Sequence, residues 1–119
     1  MRIMYERERR LPRVTLPEPQ EGFVGRKRAF VIDVSPGGFR VAQHEKPAVT
    51  DAPRKITFEW NGRQAAFVCE LRWQHVAQNL GSAAFAQNVY HAGYRVIHGT
   101  AEAYDVVHSI MREYTSRRP

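Results

Sequence analysis

Two alternating runs joined by Asn61-Gly62 constrain the fold more than any other feature of the chain. Residues 55–60 alternate apolar and polar side chains, and the alternation resumes over residues 65–74. Asn-Gly is typical of a two-residue hairpin turn, because both positions of a type I′ turn need positive φ. Successive side chains of a strand point to opposite faces, so the pattern predicts an antiparallel hairpin with one buried face. The aromatic side chains expected in its core are Phe58, Trp60, Phe67 and Trp73.

The rest of the chain predicts four more short strands and one helix. Pro17 and Pro19 should keep residues 14–20 out of a central strand, because proline cannot donate to a ladder. Thr100 is predicted to cap a helix whose apolar residues recur with helical spacing. The expected elements are strands at 21–24, 28–34, 38–43 and 89–98, a helix at about 101–115, and loops at 44–53 and 77–88. Six short strands with hairpin turns and a terminal helix imply a small antiparallel barrel.

The composition fits a single globular domain. The chain has 119 residues, of which 43% are apolar and 25% are charged. No apolar run approaches the ~20 residues that span a bilayer, and the N-terminus lacks the apolar segment of a signal peptide. The single cysteine, Cys69, cannot form an internal disulfide and suits a reducing compartment. We therefore expect a cytoplasmic protein that does not insert into a membrane.

The positive charge of the chain favours a phosphate-bearing partner. The formal net charge is +6, and arginine outnumbers lysine 15 to 3. The planar fork of arginine binds phosphates and guanine edges in a bidentate manner, whereas lysine is only a point charge. Part of the excess can instead be solvated surface, as at Arg117 and Arg118 near the C-terminus.

Residues 32–41 hold the main candidate for a binding site. Asp33 and Ser35 are two residues apart, so they should share one face of a strand. Pro36-Gly37-Gly38 then predicts a tight turn, because proline fixes φ and glycine permits positive φ. A carboxylate, a hydroxyl and a backbone without a side chain therefore converge at one strand end, where a planar ligand could approach. The residues expected to share the opposite face are Phe30, Ile32 and Val34.

A basic arm precedes these strands. Residues 1–13 carry five arginines, and Arg9 and Arg13 are spaced R-x-x-x-R. The order of this arm, a hairpin, the D-x-S-x-x-G turn, further strands and a terminal helix resembles the PilZ domain family. The signature of that family is R-x-x-x-R followed by [D/N]-x-S-x-x-G, with a tryptophan in the fifth strand and a glycine in the last. Trp73 and Gly93 stand at those two later positions.

The resemblance extends from about residue 8 to about residue 114. It implies a mainly β domain over residues 14–119, namely a six-stranded antiparallel PilZ-type β-barrel with a C-terminal helix, preceded by a flexible arm over residues 1–13. It also implies a stand-alone receptor for the bacterial second messenger cyclic di-GMP. In the family, such proteins regulate motility, polysaccharide export or virulence. A receptor without an output domain would act by changing its contacts with a protein partner.

The chemistry of cyclic di-GMP suits the residues of both motifs. Arginine binds the O6 and N7 acceptors of guanine in a bidentate manner, and Asp33 can accept from the N1 and N2 donors. The contacts that the resemblance implies are Arg9, Arg10, Arg13, Asp33, Ser35 and Gly38. Glu8 stands where many members have another arginine, which favours one ligand molecule per site or weaker binding. Two interpretations without a ligand stay open: the arm arginines can be a solvated tail, and Asp33 and Ser35 can cap a turn.

Nothing in the sequence suggests catalysis, and two other functions compete with the receptor. The five histidines lack metal-ligand spacing, and no nucleophile motif or P-loop is present. We therefore expect a non-enzyme without a metal or cofactor. One rival is a small basic β-barrel that binds single-stranded nucleic acid, which needs exposed aromatic residues for base stacking. The other is a PilZ-like scaffold that binds protein but no nucleotide.

Ligand binding is expected to order the arm. Arg9 and Arg13 would have to reach the same ligand as Asp33, which is placed on a strand, and the arm has few apolar anchors. Ordering costs about 1–2 kcal/mol per residue, which charge-assisted contacts must exceed. Amide hydrogen exchange of residues 5–13 should therefore slow when cyclic di-GMP is added. Equal exchange with and without ligand would rule out the arm as the switch.

Overall fold

The computed structural model describes residues 13–48, 50, 52–80 and 87–115. The described chain is mainly β, with six antiparallel strands in one sheet followed by one helix. Arg9, Arg10 and the rest of the predicted arm before Arg13 lie outside the described residues. The elements are β1 Val14–Val24, β2 Lys27–Ser35, β3 Gly38–Gln43, β4 Arg54–Trp60, β5 Arg63–Leu80, β6 Gln87–Gly99 and α1 Ala101–Thr115.

The strands pair in a closed order. Neighbours follow the sequence β1-β2-β3-β6-β5-β4, and residues 22–24 of β1 pair back with β4. Asn61 and Gly62 have φ values of 52° and 76°, which confirms the predicted turn between β4 and β5. The strand at Gly38–Gln43 and the helix at Ala101–Thr115 also match their predicted bounds.

Two segments that were predicted as irregular belong to strands. β1 begins at Val14, but its register with β2 is interrupted between Thr15 and Gln20. Pro17 and Pro19 occupy this interruption, where no ladder bond is required of them, and so the strand tolerates them. The loop prediction for 77–88 was also wrong at its two ends, since β5 continues to Leu80 and β6 begins at Gln87; residues 81–86 lie outside the described residues. The ends of β5 and β6 are ladder partners of each other, although their sequences show no clear alternation of apolar and polar residues.

An unpaired residue in β2 changes the faces predicted around the D-x-S-x-x-G turn. The register with β3 skips Ile32, and such a bulge shifts the alternation of side chains by one residue. The prediction that Phe30 and Ile32 share one strand face with Val34 was therefore wrong. Both are only half-buried. The buried apolar residues of β2 are Ala29, Val31 and Val34.

Helix α1 closes the core and packs chiefly on β5. Its fully buried residues recur at helical spacing and are Ala103, Val106, Val107 and Ile110. Tyr104 meets Phe67 edge-on at a ring-centroid distance of 5.4 Å, and Phe67 lies 4.9 Å from Phe39. This aromatic contact joins the helix to the strands that carry the candidate site. Among the described residues, no helix is long and apolar enough to cross a membrane.

Loss of the helix cap should destabilise the protein. The Ala103 backbone N–H donates to Thr100 Oγ1 over 3.0 Å, as the sequence predicted. We expect Thr100→Ala to lower the free energy of unfolding by about 1 kcal/mol, measured by chemical denaturation. Thr100→Ser keeps the hydroxyl and should restore most of the loss. Equal losses in both variants would contradict the capping role.

Candidate ligand-binding site

A groove with a volume of about 670 Å³ opens beside the turn between β2 and β3. Ser35 and Gly38 of the D-x-S-x-x-G turn line it, and no carboxylate of the described residues does. Residues of β3, β5 and β6 form most of the remaining wall, and Tyr104 contributes from α1. Four arginines line the groove, namely Arg13, Arg40, Arg72 and Arg95. It is therefore a concave surface with an excess of positive charge.

Strand register brings these residues together from distant parts of the chain. Antiparallel partners lie directly opposite each other, so a row of partners crosses β2, β3, β6 and β5 at one level. The first row contains Ser35, Gly38, Arg95 and Glu70. The second row contains Asp33, Arg40, Gly93 and Trp73. The motif residues thus share two levels of the sheet with basic and aromatic residues of later strands.

Gly38 is required by the strand beside it. A Cβ built on Gly38 would overlap the carbonyl oxygen of Tyr94 on β6. Ser35 Oγ donates to the Gly38 carbonyl over 3.2 Å, so this hydroxyl does cap its own turn while it lines the groove. The turn is present as predicted, but neither Gly37 nor Gly38 adopts the left-handed conformation. Close packing of β3 on β6, and not positive φ, is the reason for glycine at position 38.

Asp33 lies beneath the groove and does not line it. The residue is only 4% exposed, and its Oδ2 atom is 3.1 Å from Nε of Arg40, its cross-strand partner. This approach is an ion pair without hydrogen-bond geometry, and Asp33 Oδ1 has no hydrogen-bond partner among the described residues. Of the predicted contacts, Arg13, Ser35 and Gly38 therefore line the groove, whereas Asp33 reaches it only through Arg40.

Trp73 faces the groove, and its predicted place in the core was wrong. The side chain is 41% exposed. The register of β5 with β6 skips Arg72, and this second bulge turns the next residue outward. The indole covers Gly93, where a Cβ would overlap it. Trp73 also stacks on His75, with ring centroids 5.3 Å apart and planes at 15°. A partly exposed indole therefore borders the arginines of the groove.

Acidic residues that do not line the groove pair with its arginines. Glu70 accepts from Nε of Arg95 over 2.7 Å and from Arg72 over 3.4 Å. The hydrogen bond from Arg95 is the main reason why the pKa of Glu70 is lowered. His91 lies beyond Gly93 on β6, and burial, followed by the charge of Arg40, lowers its pKa. Two carboxylates thus offset part of the charge of four arginines, and the groove keeps a positive excess.

Two buried side chains of β5 and β6, Cys69 and Tyr94, have raised pKa values. Burial raises the pKa of the Cys69 thiol to about 12, so this side chain stays protonated at neutral pH. Burial also raises the pKa of Tyr94. Among the described residues, no group of three or more His, Cys, Asp or Glu is placed to hold a metal ion. The described lining of the groove thus consists mainly of arginines, aromatic side chains and the glycine-rich turn.

The sequence analysis did not identify Arg40, Arg72 and Arg95 as site residues. Each lies on a separate strand, and only the register between strands places them on one wall. Arg40 follows the D-x-S-x-x-G turn by two residues, which was the one available signal for it.

Comparisons of the chain with protein-family models, with curated proteins and with solved structures find no match.

Replacement of Gly93 should displace Trp73. In a Trp60→Phe background, Trp73 is the remaining tryptophan. We expect Gly93→Ala to push the indole off β6 and to increase acrylamide quenching of its fluorescence, because a Cβ would occupy its place. Gly37→Ala is the matched control, since a Cβ built there meets nothing within 4 Å. Equal quenching in Gly93→Ala and its parent would contradict the contact.

Proposed function

We propose that the protein is a PilZ-type receptor that binds cyclic di-GMP in this groove. The observation that carries the proposal is one concavity that contains Ser35 and Gly38 of the signature motif, four arginines and the exposed indole of Trp73. Its volume of about 670 Å³ falls within the range of small-molecule sites, ~300–1,000 Å³.

The chemistry of the lining matches both parts of the ligand. Cyclic di-GMP has two guanine bases and two negatively charged phosphodiesters. Arginine forks can bind the phosphates or the O6 and N7 edge of guanine, and the indole of Trp73 offers a stacking surface. The complementary charge and the partly exposed indole of the groove support a binding function.

Signalling would pass through the N-terminal arm. Arg13 lines the groove and is the residue directly before β1, so a ligand bound there would meet the end of the arm. In this proposal, the arm then orders over the ligand and presents a new surface to a protein partner in the cytoplasm. The closed strand order would correspond to the PilZ-type β-barrel that the resemblance implies.

Single-stranded nucleic acid is the second candidate, and the exposure of Trp73 is what favours it. Proteins usually bind an extended single strand of nucleic acid by stacking its bases on several aromatic side chains along a basic groove. Phe58 and Phe67 are 2% and 1% exposed, so they cannot stack on bases. Trp73 is the one tryptophan or phenylalanine with an exposed ring in the described lining of the groove. A compact ligand with two bases and two phosphates therefore fits better than an extended strand.

Calorimetric titration tests the proposal. Cyclic di-GMP should bind with micromolar or better affinity, which weakens as salt rises because charged contacts dominate. GTP and a single-stranded DNA oligonucleotide should bind much more weakly. A flat trace with cyclic di-GMP at high protein concentration would refute the receptor function, and preferential binding of the oligonucleotide would support the second candidate.

Removal of Arg13 should weaken binding without affecting the fold. Arg13 is exposed and lines the groove, and a bidentate arginine–guanine contact is worth about 1–3 kcal/mol. We expect Arg13→Ala to lose about that much binding free energy in calorimetry and to keep its melting temperature. Arg26→Ala is the matched control, because it removes the same charge from the exposed turn at the opposite end of β2. Equal losses in the two variants would mean that only net charge matters.

A further inference from the structure

Asp33 is buried more deeply than a ligand contact requires. Its side chain is 5% exposed, and it is absent from the lining of the groove. A buried carboxylate is costly unless an opposite charge compensates it. Its nearest cation is Arg40, whose Nε lies 3.1 Å from Oδ2. This carboxylate therefore acts mainly as the ion-pair partner of the Arg40 guanidinium.

Arg40 extends from this buried pair into the groove. Its Nε is buried, yet its side chain is 34% exposed and lines the groove. Gly93 is its cross-strand neighbour on β6. The indole of Trp73, which lies on the next strand, β5, covers that glycine. Arg40 is thus anchored at Nε and stands next to the aromatic surface.

We infer that Arg40 is a ligand-binding residue and that Asp33 is a positioning residue that acts through it. The inference rests on the proposed function and changes the role given to Asp33. A guanidinium that is already ion-paired at Nε loses less conformational freedom on binding, and its terminal amino groups can pair with two oxygens of a phosphate or with the O6 and N7 atoms of guanine. Pre-organisation by Asp33 therefore increases the affinity contributed by Arg40.

This role of Asp33 differs in a measurable way from a direct contact with guanine. A residue that acts only through Arg40 has no further effect once Arg40 is removed. If a residue touches the ligand itself, its replacement lowers the affinity by the same factor with or without Arg40. A double-mutant cycle separates the two cases, because the pair interacts only in the first.

The cycle uses the affinity for cyclic di-GMP of the full chain and of Asp33→Ala, Arg40→Ala and the double variant. We expect each single variant to bind about tenfold more weakly, in line with the worth of a bidentate contact. The double variant should bind no more weakly than Arg40→Ala alone. Multiplicative losses, or unchanged affinity in Arg40→Ala, would overturn the inference.

Glu21→Ala is the matched control for charge. Glu21 is also ion-paired with an arginine, its Oε2 atom lying 2.9 Å from Nε of Arg28, but neither residue lines the groove. Its removal changes the net charge by the same unit at a site outside the groove, so the affinity should stay nearly the same. If Asp33→Ala changed the affinity no more than Glu21→Ala does, or increased it, Asp33 would not position Arg40 for the ligand, and the inference would be wrong.

A measurement without ligand guards against variants that fail to fold. Arg40→Ala leaves a buried carboxylate unpaired and is expected to lose stability. Relaxation of the Arg40 Nε–Hε group, measured by nuclear magnetic resonance, should show a rigid group in the wild-type chain and a mobile one in Asp33→Ala. Equal mobility would overturn the positioning role. Absence of cyclic di-GMP binding by the wild-type chain would instead refute the proposed function, and with it the ligand role of Arg40.

Discussion

Two β-bulges determine which side chains reach the groove. The bulge at Ile32 shifts the alternation of β2 just before Asp33, and the bulge at Arg72 turns Trp73 out of the core. Without the second bulge, the strict period of two would point Trp73 to the same side as Cys69 and Leu71. The site depends on these two register shifts, because they bring an acid–arginine pair and an indole to one level of the sheet.

Close approach of the strands completes the groove. Gly38 lets β3 pack against the backbone of Tyr94, and Gly93 leaves the space that the indole of Trp73 covers. Two acidic residues pair with arginines of the groove: Asp33 with Arg40, and Glu70 with Arg95. These carboxylates do not line the groove, so the lining keeps a positive surface for a ligand.

The local parts of this structure were predictable, and the relations between strands were not. Asn61-Gly62, the strand at Gly38–Gln43 and the helix capped by Thr100 depend on short-range turn chemistry and periodicity, which a sequence displays directly. Ser35 and Gly38 were found because a motif names them. Arg40, Arg72 and Arg95 became site residues only through register. Each bulge adds one residue to a strand, and periodicity does not reveal where.

The proposed ligand site lies where the D-x-S-x-x-G turn meets the arginines that line the groove. Backbone amide chemical shifts of the protein, recorded with and without cyclic di-GMP, test it most directly. The claim predicts shifts concentrated at residues 35–40, 72–73 and 93–95, with the turns at Gly25 and Asn61-Gly62 unchanged. Shifts confined to other surfaces, or none at saturating ligand, would contradict it.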